Sequence, residues 1–190
     1  MNLLFHCLSI STAAQVKREP LELEQLYRDY HTPLLRYLER MCGSREVAEE
    51  LVQETFIKAY IGLLTFRGEC SVTTWLFRIA RNLYLNSLRQ PSPSSIKTDQ
   101  LLAIPDDGKH HDPVYQAGLR EQRDQISLLL AQLPERQRSV LLLRDLEGLS
   151  YLEIAGILDI SLSAVKVSLF RARNTFRNAF LELEQGDCDE

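Results

Sequence analysis

Apolar residues recur at steps of three and four along most of this 190-residue chain, and that spacing commits it to helices. Leu23, Leu26, Tyr27, Tyr30, Leu34, Leu35 and Leu38 form one such run. Val47, Leu51, Val52, Thr55, Phe56 and Ala59 form a second, and Trp75, Leu76, Ile79, Leu83 and Leu88 a third. Pro33 is expected to split or kink the first run. Gly43 ends it, and Ser44 can cap the next helix. The stretch 91–113 breaks the pattern with Pro-Ser-Pro-Ser-Ser and Pro-Asp-Asp-Gly, and reads as a flexible linker. The expected fold is therefore all-α, with two small helical domains at 21–90 and 114–183. An N-terminal extension (1–20) and an acidic tail (184–190) flank them.

The second block carries its own start and stop signals. A helix is expected over about 114–132, and Leu133-Pro134 restarts the chain with Pro134 in the first helical turn. Gly148 is a stop. Ser150-Tyr151-Leu152-Glu153 has the spacing of a capping box, in which each end residue satisfies a free backbone N–H of the other. A short helix to Leu158 follows, then a turn at Asp159-Ile160, then a helix capped by Ser161 and running to about Phe180. Short helix, tight turn and longer basic helix make a helix-turn-helix. Val165, Leu169, Ala172 and Phe176 give the last helix a buried stripe. The opposite face then holds Ser163, Lys166, Val167, Phe170, Arg171 and Asn174. Lys166 and Arg171 suit guanine edges or phosphates, Val167 and Phe170 suit thymine methyls, and Arg173 and Arg177 suit backbone phosphates.

Charge is distributed unevenly. The net charge of −4 is wrong for a uniformly basic nucleic-acid binder. Yet 70–98 holds no acid and includes Arg78, Arg81, Arg89 and Lys97, and 160–181 holds no acid and includes Lys166, Arg171, Arg173 and Arg177. Acid gathers at Glu46, Glu49, Glu50 and Glu54 and in the tail. Two basic patches and one acidic patch fit DNA at two places and a protein partner at a third. Four scattered cysteines without a CxxC pair fit a reducing cytoplasm and argue against disulfides or a zinc site. His110, His111 and Asp112 adjoin without a ligand spacing, so no metal or other cofactor is expected. The first 14 residues lack a basic n-region, which speaks against a secretory signal, and no stretch reaches the roughly 20 apolar residues of a membrane span.

Several motifs in this order resemble the sigma-70 family of RNA polymerase sigma factors. Glu50-Leu51-Val52-Gln53-Glu54-Thr55-Phe56 with Lys58-Ala59-Tyr60 resembles region 2.2, and 74–82 (Thr-Trp-Leu-Phe-Arg-Ile-Ala-Arg-Asn) resembles regions 2.3 and 2.4. Leu133-Pro134-Glu135-Arg136-Gln137-Arg138, the segment 148–155, and Val165-Lys166 followed by Leu169-Phe170-Arg171-Ala172-Arg173 resemble region 4. The resemblance covers nearly all of 21–180. Length and layout resemble the extracytoplasmic-function members, which keep only domains two and four.

The resemblance implies partners and site residues. Region 2.2 binds a coiled coil of the polymerase beta-prime subunit, which points to Glu50, Gln53, Glu54, Phe56 and Tyr60; the beta subunit is the other expected core contact. Regions 2.3 and 2.4 open the minus-ten element and hold one of its strands. The matching set is Phe66, Cys70, Ser71, Trp75, Arg78, Arg81 and Asn82, with 70–73 as a loop beside a flipped base. Trp75 is equally suited to a packed position. Region 4 reads the minus-thirty-five element with Ser163, Lys166, Val167, Phe170, Arg171 and Arg173. Ser168 stands where relatives often carry Arg, so the promoter sequence does not carry over. An anti-sigma factor is a further expected partner.

No nucleophile–base pair, glycine-rich phosphate loop or metal-ligand spacing is visible, so polymerase is expected to do the catalysis. The rival readings are a helix-turn-helix regulator that never meets polymerase, and a small helical enzyme. Two domains on a linker are also expected to be able to fold together and hide both DNA faces.

Overall fold

The structure is a computed structural model that describes residues 23–89 and 125–186, with side chains to residue 183. The expected linker, the N-terminal extension and the histidine pair lie outside these residues. Every regular element within them is helical: α1 (Leu23–Cys42), α2 (Arg45–Leu63), α3 (Val72–Arg89), α4 (125–132), α5 (Glu135–Leu141), α6 (Tyr151–Leu158) and α7 (Leu162–Gly186). α5 runs directly into a π turn, Leu142–Leu146, in which the Glu147 N–H reaches back five residues to the Leu142 carbonyl at 3.1 Å.

α1 is one continuous helix through Pro33, so the proline does not split it. An interior proline costs about 3 kcal/mol in an isolated helix. Here Leu34, Tyr37 and Leu38 follow it with no exposed surface, and their burial against α2 and α3 outweighs the lost hydrogen bond. Gly43 ends α1 at φ +72°, and the Ser44 hydroxyl accepts the Val47 N–H, so the α1–α2 corner forms as its sequence implies.

The second block also follows its local signals. The Ser150 hydroxyl accepts from the Glu153 N–H while the Glu153 carboxylate accepts from the Ser150 N–H, completing the capping box. Asp159 turns the chain in the left-handed region at φ +54°, and the Ser161 hydroxyl caps α7 through the Ala164 N–H at 3.2 Å. Val165, Leu169 and Ala172 are buried beside Ile154, Ile157 and Leu158 of α6. Pro134 proves to be the residue before α5 rather than inside it.

The two blocks do not stand apart. One continuous core runs from Leu26 and Leu34 in α1, through Phe77 and Ala80 in α3, to Val140, Leu143, Ile154 and Val165. At the seam the buried hydroxyls of Tyr37 and Ser139 lie 2.7 Å apart, and Arg138 donates to the Met41 carbonyl at 2.9 Å. Arg36 pairs with Glu147 at 3.0 Å. α6 packs against α3 on one side and α7 on the other.

Candidate nucleic-acid and partner interfaces

Three faces carry the residues singled out by sequence. The first is on α2. Glu50, Gln53 and Glu54 are exposed on one strip, as three- and four-residue steps require. Lys58 pairs with Glu54 at 3.4 Å and Arg45 with Glu49 at 2.9 Å. Tyr60 is 63% exposed and extends the strip. Phe56 does not belong to it. That ring is 6% exposed, sits in the core and packs against Tyr27 at 4.9 Å. Its place follows from phase, because it shares the buried side of α2 with Val52, Thr55 and Ala59. Sequence reasoning missed Ile57, Ile61 and Leu64, all exposed. The available signal was their spacing, since Ile57, Ile61 and Leu64 follow Glu54 at steps of three, four and three. An acidic strip passing into exposed apolar side chains suits a partner helix with basic and apolar residues.

The second face is on α3 and the loop before it. The Ser71 hydroxyl accepts the Thr74 N–H at 3.1 Å and starts α3. Thr73 Oγ1 lies 3.0 Å from the Tyr30 hydroxyl, which ties the 70–73 loop to α1. Phe66 stacks on Trp75 at 4.7 Å between ring centroids, and Trp75 rests against Gly62, where a Cβ would come within 2.9 Å of the indole. Trp75 and Phe66 are both half-buried, and together they form one stacked aromatic surface beside the loop. Asn82 is exposed two turns further along, while Cys70 is half-buried. Arg78 and Arg81 are half-buried and already engaged. Arg78 Nε donates to the Gly156 carbonyl at 3.0 Å, and Arg81 Nη2 meets both oxygens of Glu135 at 3.0 and 3.1 Å.

The third face is the outer side of α7. Ser163, Lys166, Val167, Phe170 and Arg171 are exposed together, Phe170 to 67%. A groove of about 530 Å³ runs beside them, with Tyr151, Lys166, Phe170, Arg173 and Arg177 on its walls. Arg173, expected to suit backbone phosphates, is half exposed and already carries an ion pair. Its guanidinium forms a two-bond fork with Asp145 of the π turn, whose hydrogen bond raises the already high Arg173 pKa further. Arg144 of the same turn lies 5.0 Å over the Tyr151 ring and donates to the Leu149 carbonyl. These contacts set the angle at which α7 is presented.

Among the described residues no three His, Cys, Asp or Glu side chains gather as metal ligands, and no helix is long and apolar enough to cross a membrane.

The seven described helices include the helix-turn-helix of α6 and α7 and, apart from it, the acidic strip of α2, a layout of the DNA-binding class. Comparison with known proteins makes the class specific. Residues 26–92 match the family model for sigma-70 region 2, and residues 123–176 match that for sigma-70 region 4. The chain is similar to the RNA polymerase sigma factor YlaC of Bacillus subtilis, 36% identical over 155 residues, covering 80% of this chain and 87% of that protein. It is also similar to the extracytoplasmic-function sigma-E factor of Escherichia coli, 37% identical over 78% of this chain and 81% of the relative. Among solved structures, the sigma factor RpoE of Bartonella quintana, in complex with the anti-sigma factor NepR, aligns with a TM-score of 0.64 at 24% identity over 83% of this chain and 95% of that one. CnrH, in complex with the cytosolic domain of CnrY, aligns at 0.63 and 24%, over 85% and 88%. The chain belongs to the sigma-70 family, among its extracytoplasmic-function sigma factors.

Proposed function

We infer that this protein docks on core RNA polymerase through α2, reads a minus-thirty-five element with α7, and holds one strand of a melted minus-ten element on α3. The docking set is Glu50, Gln53, Glu54 and Tyr60, joined by Ile57, Ile61 and Leu64. The minus-thirty-five set is Ser163, Lys166, Val167, Phe170, Arg171 and Arg173. The minus-ten set is Phe66, the loop from Cys70 to Thr73, Trp75, Arg78, Arg81 and Asn82. Melting needs no covalent step: contacts to unstacked bases and phosphates offset stacking of about 1.4 kcal/mol per base-pair step. The chain itself catalyses nothing, and it acts in the cytoplasm, where polymerase is.

The observation that carries this reading is the α2 strip. A helix-turn-helix regulator needs α6 and α7 but has no use for an acidic helix that leaves Ile57, Tyr60, Ile61 and Leu64 in water. The test is transcription from a genomic fragment library by purified core polymerase, with and without this protein. Promoter-specific transcripts are expected, and Gln53→Ala with Glu54→Arg abolishes them. DNA binding with no new transcripts and no polymerase association would leave only the regulator reading.

An anti-sigma protein is the expected second partner, since the similar sigma factor RpoE was captured with one. Tagged protein drawn from its native cell should return such a partner in stoichiometric amount; recovery of polymerase alone under every stress tried counts against it.

A further inference from the structure

α7 carries no acid between Leu162 and Leu181, so the carboxylate that meets its cations comes from another element. Asp145 of the π turn takes Arg173 in a fork, accepting from Nε at 3.0 Å and from Nη2. Lys166 and Arg171 of the same helix pair with no carboxylate among the described residues. The turn that holds Asp145 is itself fixed. The Glu147 N–H reaches the Leu142 carbonyl at 3.1 Å, and the Leu149 N–H reaches the Leu143 carbonyl at 3.0 Å. Arg144 Nη1 donates to the Leu149 carbonyl at 2.8 Å. Asp145 is thus anchored to the chain that enters α6, and the fork ties it to α7.

A guanidinium carries its N–H donors in one rigid plane. The fork uses the Nε and Nη2 edge and leaves the Nη1 edge to donate outward. Arg173 follows Lys166 by seven residues, about two turns, and both line the groove with Phe170 and Arg177. A phosphate that meets the Nη1 edge leaves the fork intact, but only if it stands at one place. A phosphate anywhere else has to pull Arg173 off Asp145. Sequence-independent binding offers α7 many placements, because phosphates repeat about every 3.4 Å along each strand. An unconstrained arginine follows them, and a forked one does not. Contacts to base edges select a single placement.

We propose that Asp145 is a positioning residue that makes Arg173 a register check on DNA. The guanidinium serves a backbone phosphate without cost only when the base-reading side chains of α7 are seated, and breaking the pair weakens binding everywhere else. Asp145 thereby raises sequence discrimination without touching a base. The proposal rests on the minus-thirty-five assignment made above.

The test uses the full-length chain, in which the outer side of α7 is exposed. Fluorescence anisotropy compares two labelled duplexes: a random-sequence pool, and a sequence enriched from that pool by repeated binding to the wild type. Discrimination is the ratio of the two Kd values. Asp145→Asn keeps the shape of the side chain and removes its charge. The expected result is binding to the random pool tighter by about fivefold, the upper end of what an exposed ion pair is worth, with the enriched duplex nearly unmoved. Arg173→Lys keeps the cation, cannot form the fork, and should lower discrimination in the same direction. In an Arg173→Ala background, Asp145→Asn should leave discrimination where Arg173→Ala put it. Equal tightening on both duplexes is plain loss of a negative charge and overturns the register check. So do no change on either duplex, weaker binding to both, an Arg173→Lys chain that discriminates like the wild type, and a drop in discrimination that persists without Arg173. A pool from which the wild type enriches nothing overturns the minus-thirty-five assignment, and the proposal with it.

Discussion

The chemistry of single side chains is set here by where the helices leave them. Cys42 sits at the end of α1 with its thiol donating to the Leu38 carbonyl, and burial pushes that thiol up to about 12. At neutral pH it carries no appreciable thiolate, the form that reacts with alkylating agents. Alkylation of the native protein with iodoacetamide at pH 8, followed by peptide mapping, should leave Cys42 unmodified until urea opens α1. Modification of Cys42 at the pace of a denatured control would contradict its burial. Tyr37 is held the same way: burial raises its phenol above the ordinary 10.0, and the hydroxyl is used only to meet Ser139. Phe56 shows how much a single residue could be read in advance. Its periodicity placed it with the buried face of α2, while the resemblance of its motif placed it on the docking surface. The packing against Tyr27 agrees with the periodicity. Arg173 could not be anticipated, because Asp145 reaches it across 28 positions and no local spacing announces such a pair.

At the scale of elements, the capping box of α6 has a consequence that pH can expose. Hydrogen bonds from the Ser150 hydroxyl and backbone N–H, the hydroxyl first, hold the Glu153 carboxyl below its ordinary value of 4.5. A carboxyl depressed in the folded state stabilises it above the unfolded value and loses that contribution as pH falls through the folded one. Ser150→Ala should therefore cost about 1 kcal/mol near pH 7. The deficit should shrink below about pH 4.5, where Glu153 begins to protonate, without vanishing, since the Glu153 N–H bond to the Ser150 hydroxyl does not titrate. Paired urea titrations at pH 7 and pH 3.5 measure it, and an equal deficit at both would refute the linkage. Elements with such short-range signals could be read from sequence: the Gly43–Ser44 corner, the capping box, the Ser161 cap and the stripe of Val165, Leu169 and Ala172. α1 could not, because the burial that carries it through Pro33 comes from α2 and α3, far along the chain. The π turn left no trace in composition or period, since it differs from an α-helix only in which carbonyl each N–H selects.

At the scale of the whole molecule, the all-helical class and the helix-turn-helix followed from period and punctuation, and the three functional faces from charge and motif. Closure did not follow so directly. A Pro- and Ser-rich connection allowed two domains to meet, and the expectation was that meeting would hide both DNA faces. The α3 face is covered only at Arg78 and Arg81, with Asn82 still exposed, because α6 turns one side to α3 and the other to α7, leaving the outer side of α7 in water. The seam is a mixture of core and ion pairs, with Tyr37 and Ser139 at its centre and Arg36–Glu147 and Arg81–Glu135 at its margins. Such a seam responds to salt mainly at its margins, where pairs are partly solvated. The π turn bears on it in one further way. Each residue of an α-helix advances the azimuth by about 100°, so a turn that spends one residue more than its neighbours acts as a phase shifter. Upstream of it, Val140 and Leu141 are buried in the core. In an unbroken helix Glu147, seven residues past Val140, would repeat that heading. The slipped frame turns it toward Arg36 of the first block instead, while Asp145, two residues earlier, is aimed at α7. One surplus residue thus gives a single helix two bearings, one for the DNA reader and one for the domain that the reader covers.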